Sequence, residues 1–206
     1  MPKRVDHAER RTEIAEALVR ASGRLGLHAV GMRDVAAEAG VSLRLVQYYF
    51  ESKEKLLLFG LRHVTERFGQ RVAERVRAAG ADPGPRAVVE ALLWAALPVD
   101  EESRVFHHLY TAYAVLAMTD ETLAAQPFIR DPDAAELAVT DLLTRAEAEG
   151  SLRPGVDPGA EAVGLLAMSA GLGTSILVGQ RTEHSARETL TYHLNRIFAG
   201  AGAGAG

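Results

Sequence analysis

Cysteine is absent from the 206-residue chain. This excludes disulfides, thiolate metal sites and cysteine nucleophiles together, and fits a reducing compartment. The alternation of apolar and polar residues that marks strands is missing throughout, so a sheet-based fold is not expected. The opening "MPKRVDHAER" has neither an apolar stretch nor a small-residue cleavage site; no export signal is expected, and a cytoplasmic location is. Missing too are a serine elbow, a trio of metal-ligand spacing, a phosphate loop and a cofactor fingerprint. No catalytic residue, cofactor or metal is therefore expected. An all-helical enzyme using His107, His108 or the acidic Asp100, Glu101 and Glu102 is the competing interpretation. Adjacent histidines diverge by about a third of a helical turn, however, and carboxylates at a helix start complement its dipole.

Hydrophobic residues make up 48% of the chain, enough for a packed core. The net charge of −4 is uneven: residues 1–55 hold ten Lys/Arg against eight Asp/Glu, leaving thirteen against nineteen for the rest. A mildly basic front on an acidic body suits a polyanion at one end. One uncharged run, "AVGLLAMSAGLGTSILVGQ" (162–180), has the length of a membrane span. Its four glycines, its serines and threonine and its lack of an aromatic belt point instead to a helix of a soluble protein, with no membrane partner.

Apolar spacing of three and four predicts helices nearly everywhere. Asp6 with Glu9 opens a first helix over about 7–25, stopped by Gly26. Gly31 and Asp34 begin a short second helix over 32–39, Gly40 turns the chain, and Ser42 caps a third over 43–49. Ser52 with Lys55 opens a long amphipathic helix to about 79, ended by "GADPGP" (80–85). Further helices are predicted over 85–97, 102–118, 120–126, 132–149, 158–180 and 184–198. The fold class is all-α, with about nine helices. Three of them form an N-terminal helix-turn-helix domain (1–52), which the linking helix (53–79) joins to a helical ligand-binding and dimerisation domain (80–198). The Gly/Ala tail (199–206) has no side chains able to offset ordering and is expected to be flexible.

In a helix-turn-helix the second helix lies in the DNA major groove, and its outward side chains meet base edges while its flanks meet phosphates. Leu43, Arg44, Gln47 and Tyr48 share one face of the third helix, with Val46 and Phe50 opposite. Arginine offers a bidentate fork to guanine, glutamine a bidentate amide to adenine, and Leu43 an apolar contact to a thymine methyl. Ser42, Tyr48 and Tyr49 offer hydroxyls to phosphates, and Lys53 a cation at a helix start. An amphipathic hairpin with a merely solvated polar face is the alternative, but such a face more often carries Glu and Lys than paired tyrosines.

The stretch "GMRDVAAEAGVSLRLVQYYFESKEKL" (31–56) resembles the signature of the TetR family of bacterial transcriptional regulators, and the similarity spans about residues 8–67. Gly31 stands where the family usually has threonine, and Gln47 where it has tyrosine. The resemblance implies an all-helical homodimer with Arg33, Arg44, Gln47, Tyr48, Tyr49 and Lys53 on double-stranded palindromic DNA. It also implies a repressor released by a small molecule; a DNA-binding regulator or activator with no small-molecule input is the alternative. "LPVDEESR" (97–104) and "AEAEGSLRPGVDP" (146–158) are similar to the choline-responsive Bet-type subgroup.

For the dimer, small residues Gly164, Ala167 and Gly171 allow close helix approach. Met168, Leu172, Ile176, Leu190, Leu194 and Ile197 supply apolar area for a four-helix interface; a monomeric core is the alternative. For an effector, Trp94, Phe106, His107, Tyr110, Tyr113, Met118 and Phe128 form an aromatic-rich set able to line an apolar cavity, or to cage a quaternary ammonium. For any one of these residues, ordinary core packing is a stronger expectation than ligand contact.

Overall fold

A computed structural model describes residues 7–26, 29–78, 80–119, 121–125 and 134–199. Among these the chain is helical: α1 His7–Leu25, α2 Met32–Glu38, α3 Leu43–Phe50, α4 Lys53–Ala78, α5 Pro85–Ala96, α6 Glu101–Ala117, the single turn α7 Glu121–Ala124, α8 Ala134–Ala148, α9 Pro158–Leu177 and α10 Glu183–Ile197. The described residues contain no strand, only an isolated bridge between Leu152 and Phe198. The chain divides into two compact units: Met1–Arg67 with His108–Val115, and Phe68–His107 with Leu116–Gly206.

In the first unit α1 buries Ile14, Ala15, Ala17, Leu18 and Ala21, the stripe its three-four spacing requires. Opposite them are Val35 and Ala36 of α2, Val46 and Phe50 of α3, and Leu56, Leu57, Leu61 and Val64 of α4. Gly60 lets α4 close on α1, because a Cβ there would stand 2.6 Å from Leu18 Cδ2. Arg11 lies over the rings of Phe59 and Phe50, 4.6 and 5.2 Å from their centroids, so one cation ties the starts of α1 and α4 to the end of α3.

The second unit has its own core. Val89, Leu92 and Leu93 of α5, Val139 and Leu143 of α8, Leu165 and Leu172 of α9, and Leu190, Leu194 and Ile197 of α10 form one cluster. Each large aliphatic side chain buried this way contributes about 1.5–3 kcal/mol. The chain end is tied in by Arg153 N–H to Ile197 O and Ala199 N–H to Ser151 O, both at 2.8 Å. Ala199, expected in a flexible tail, is thus hydrogen-bonded; the rest of that tail lies outside the described residues.

Helix α9 is long and apolar enough to cross a membrane by length and composition. It buries Ala162, Leu165, Ser169, Leu172 and Gly173 in the second unit's core. It ends sooner than its uncharged sequence suggests, at Leu177, because Gly179 takes φ +75° and terminates the helix as a left-handed residue does.

Candidate nucleic-acid interface

Helix α3 is built as a protruding rod. Gly40, at φ +65°, reverses the chain after α2, and Val41 N–H returns to Ala36 O at 2.9 Å. Ser42 Oγ then accepts Leu45 N–H at 3.2 Å, capping α3. Val46 and Phe50 are buried, which fixes the rod's roll and turns Arg44, Gln47 and Tyr48 into solvent. Tyr48 is 69% exposed. Among the described residues Arg33, Arg44 and Gln47 have no internal polar partner, so their donors are available to another molecule.

The supporting helix is held from behind. Glu38, at the end of α2, receives Arg20 Nε at 2.9 Å and Arg24 Nη2 at 2.6 Å. The Arg20 hydrogen bond, helped by the charge of Arg24, lowers the Glu38 carboxyl below the usual carboxylate range. Gly31 caps α2 without a side chain, and its N–H donates to Asp34 Oδ2 at 2.8 Å. Ser52 Oγ accepts Lys55 N–H at 3.3 Å and opens α4, which places Lys53 in its first turn.

Two features escaped the sequence. Glu51 adopts φ +59° between α3 and α4, a backbone state uncommon outside glycine; its carboxylate bonds Lys55 Nζ at 2.5 Å. His7 sits against α3, with Nδ1 3.1 Å from the Tyr49 hydroxyl and its ring centroid 5.7 Å from that of Tyr49. Neither position belongs to a pattern of spacing.

The residues expected around an effector fall in both units. In the second, Trp94 has the Arg187 guanidinium 4.9 Å from its ring centroid. Phe106 stacks on Phe68 at 4.7 Å and 7°. The His107 ring is buried, 3.2 Å from Thr174 Oγ1. Trp94 and Phe106 thus each have one ring face against the chain itself. Met118 is 82% exposed. Tyr110 and Tyr113 belong to the first unit, exposed and fully buried respectively. Phe128 lies outside the described residues.

The residues expected at a dimer interface divide by burial in the protomer. Leu190, Leu194 and Ile197 are at most 3% exposed and Leu172 is buried with them, so their side chains serve the protomer core. Gly164, Ala167 and Gly171 are exposed, and Met168 and Ile176 are half-buried. The outward surface of α9 and α10 further includes Val163, Val178 and Tyr192.

A capped, exposed helix following a glycine turn, with arginine and glutamine free on one face, defines a helix-turn-helix DNA-binding protein. Comparison with known proteins agrees. Residues 14–58 match the bacterial regulatory proteins of the tetR family, and residues 85–199 match the C-terminal domain of BetI-type transcriptional repressors. The chain belongs to the TetR family, with a BetI-type C-terminal part; it is a DNA-binding transcriptional regulator and not an enzyme.

It is 28% identical over 172 residues to the HTH-type transcriptional regulator PksA of Bacillus subtilis (strain 168), covering 84% of this chain and 80% of that one. It is 32% identical over 103 residues to the HTH-type transcriptional regulator BetI of Brucella suis biovar 1 (strain 1330), covering 50% of this chain and 52% of that one. The chain thus spans about half the length of the BetI relative. A crystal structure of a transcriptional regulator from Saccharomonospora viridis in complex with choline superposes with a TM-score of 0.77 at 22% identity, covering 93% of this chain and 99% of that one. At that identity the likeness concerns the fold.

Proposed function

We propose that the protein is a cytoplasmic repressor that binds a palindromic operator as a homodimer and leaves it when a small molecule occupies its helical body. Residues 1–52 form the reading domain, 53–79 the linking helix and 80–198 the body. The observation that carries this proposal is the outward, unpartnered pair Arg44 and Gln47 on a helix whose roll is fixed by Val46 and Phe50.

Two reading helices must stand about one DNA turn apart to match a palindrome, which requires two protomers in fixed register. The exposed small and apolar positions on α9 and α10 (Val163, Gly164, Ala167, Gly171, Tyr192) suit a second copy. The effector is an apolar or aromatic-contacting small molecule that binds the two states of the body unequally. The choline bound by the Saccharomonospora viridis structure makes a quaternary ammonium the first ligand to try, although Arg187 covers one face of Trp94 in this chain.

The test is a mobility shift on the palindrome upstream of the protein's own gene, with excess unrelated DNA, at two salt concentrations and with or without choline. A specific complex that choline or another metabolite dissolves is the expected result. No band surviving the competitor refutes sequence-specific binding, and a band that no metabolite weakens refutes release by a ligand.

A further inference from the structure

We infer that His7 is a positioning residue for DNA binding: its imidazole directs the Tyr49 hydroxyl, so that α3 gains a phosphate contact when His7 is protonated. The inference rests on the proposed DNA binding, with the Tyr49 hydroxyl meeting a phosphate as expected from the sequence.

His7 is the first described residue of α1, and it reaches across to α3 rather than into the core. It is exposed, with Nδ1 3.1 Å from the Tyr49 oxygen. Tyr49 in turn lies edge-on to Tyr48, centroids 5.2 Å apart. The three rings form a row along the side of the reading helix, and its outer members, His7 and Tyr48, are exposed.

The direction of the shared hydrogen bond depends on the imidazole. With Nδ1 unprotonated, that nitrogen accepts the Tyr49 O–H and the phenol has no proton left for a phosphate. With both ring nitrogens protonated, Nδ1–H donates to the Tyr49 oxygen. The Tyr49 O–H is then free to donate to a phosphate, and the imidazolium adds a positive charge beside the DNA. Protonation therefore changes both the direction of one hydrogen bond and the local charge, and both changes favour a polyanion.

Among the described residues, the groups facing His7 leave this switch open. From α3 they are Tyr49 and, behind it, Tyr48. On its own helix Arg10 is paired with Glu13 at 2.6 Å, and Arg11 lies over Phe50 and Phe59. His7 has no ion pair among the described residues. Histidine is the side chain whose charge ordinarily changes between about pH 5 and 8.

A phosphate contact is independent of sequence, so the operator is not needed for the test. Full-length protein is titrated into a fluorescent random-sequence duplex of about three helical turns at low, fixed ionic strength, at about pH 6 and about pH 8. Wild type, His7→Ala, His7→Gln, Tyr49→Phe and the His7→Ala/Tyr49→Phe double variant are compared, with helicity checked by circular dichroism. Wild type is expected to tighten on acidification by about threefold or more beyond His7→Ala, the gain of one linked proton. His7→Gln, which can donate but not titrate, is expected to bind independently of this step, and Tyr49→Phe to keep only the part of the response due to the imidazolium charge, which the double variant loses. If His7→Ala keeps the whole pH response of wild type, or if Tyr49→Phe leaves that response intact, the inference is overturned. A wild type that binds the duplex at neither pH overturns the DNA-facing assignment of α3 instead.

Discussion

Gly173 and His107 share one space. The missing side chain of Gly173 on α9 is where the buried imidazole of α6 sits, and a Cβ there would overlap the ring, standing 2.8 Å from Nδ1. Glycine is retained in mid-helix despite costing about 1 kcal/mol relative to alanine. Gly173→Ala gains that propensity but forces a packed, rigid ring to move, at about 1–3 kcal/mol. The expected net outcome is a loss of up to about 2 kcal/mol in denaturant unfolding, restored by adding His107→Ala. Gly164→Ala, with open space around its Cβ, is the control that should not lose protomer stability.

The same pair shows what a one-dimensional pattern carries. Helix positions were legible because their local signals were strong: Ser42, Ser52, Gly26 and Gly40 mark boundaries that the backbone honours. The outward direction of Arg44 and Gln47 was legible because burial of Val46 and Phe50 leaves them no other. Which surface covers Leu190, Leu194 and Ile197 was not. Spacing shows that a helix has an apolar side, and nothing local distinguishes the protomer's own core from a partner's. The burial of His107 was not legible for the same reason, since its close contact is with a residue 66 positions away in sequence.

Asp100 does two jobs at the start of α6. Its Oδ1 accepts Ser103 N–H at 2.8 Å, and its carboxylate pairs with Arg71 at 3.1 and 3.3 Å. Burial works to raise its pKa, but the Ser103 bonds and the Arg71 charge outweigh that and hold it below the usual range. A carboxyl depressed in the folded state stabilises above its unfolded pKa and loses that contribution as pH falls through the folded value. Thermal unfolding of wild type is therefore expected to weaken on acidification below the ordinary carboxylate range. Asp100→Asn should start lower at neutral pH, by about 0.5–2 kcal/mol for a damaged cap and pair, and show a shallower acid decline. Parallel acid profiles for the two proteins would contradict this role.

The outward residues of α9 predict the assembly. Ala167 and Gly171 are exposed in the protomer, and no atom lies within 4 Å of a Cβ built on Gly171. Ala167→Glu and Gly171→Glu should therefore leave the circular dichroism spectrum of the protomer unchanged. Against a second copy the same carboxylates would be desolvated without partners, at a cost of several kcal/mol per interface. Sedimentation velocity is expected to show wild type as a dimer and both variants as monomers; a monomeric wild type at high concentration would remove the twofold arrangement altogether.

Under the proposed function, Arg44 and Lys53 separate specificity from grip. Arg44 is exposed, unpartnered among the described residues and aligned with Gln47, the arrangement that reads a base edge. Lys53 stands in the first turn of α4, where an ammonium and free helix amides together hold a phosphate. Arg44→Ala is expected to cost about 1–3 kcal/mol on the operator and to relax preference at one base position. Lys53→Ala should instead weaken operator and unrelated duplex alike and lower the slope of log K against log salt by about one. Binding isotherms on operator variants at four salt concentrations distinguish the two. If both substitutions weaken every sequence by the same factor, α3 grips the backbone without reading it, and the operator preference must come from elsewhere in the chain.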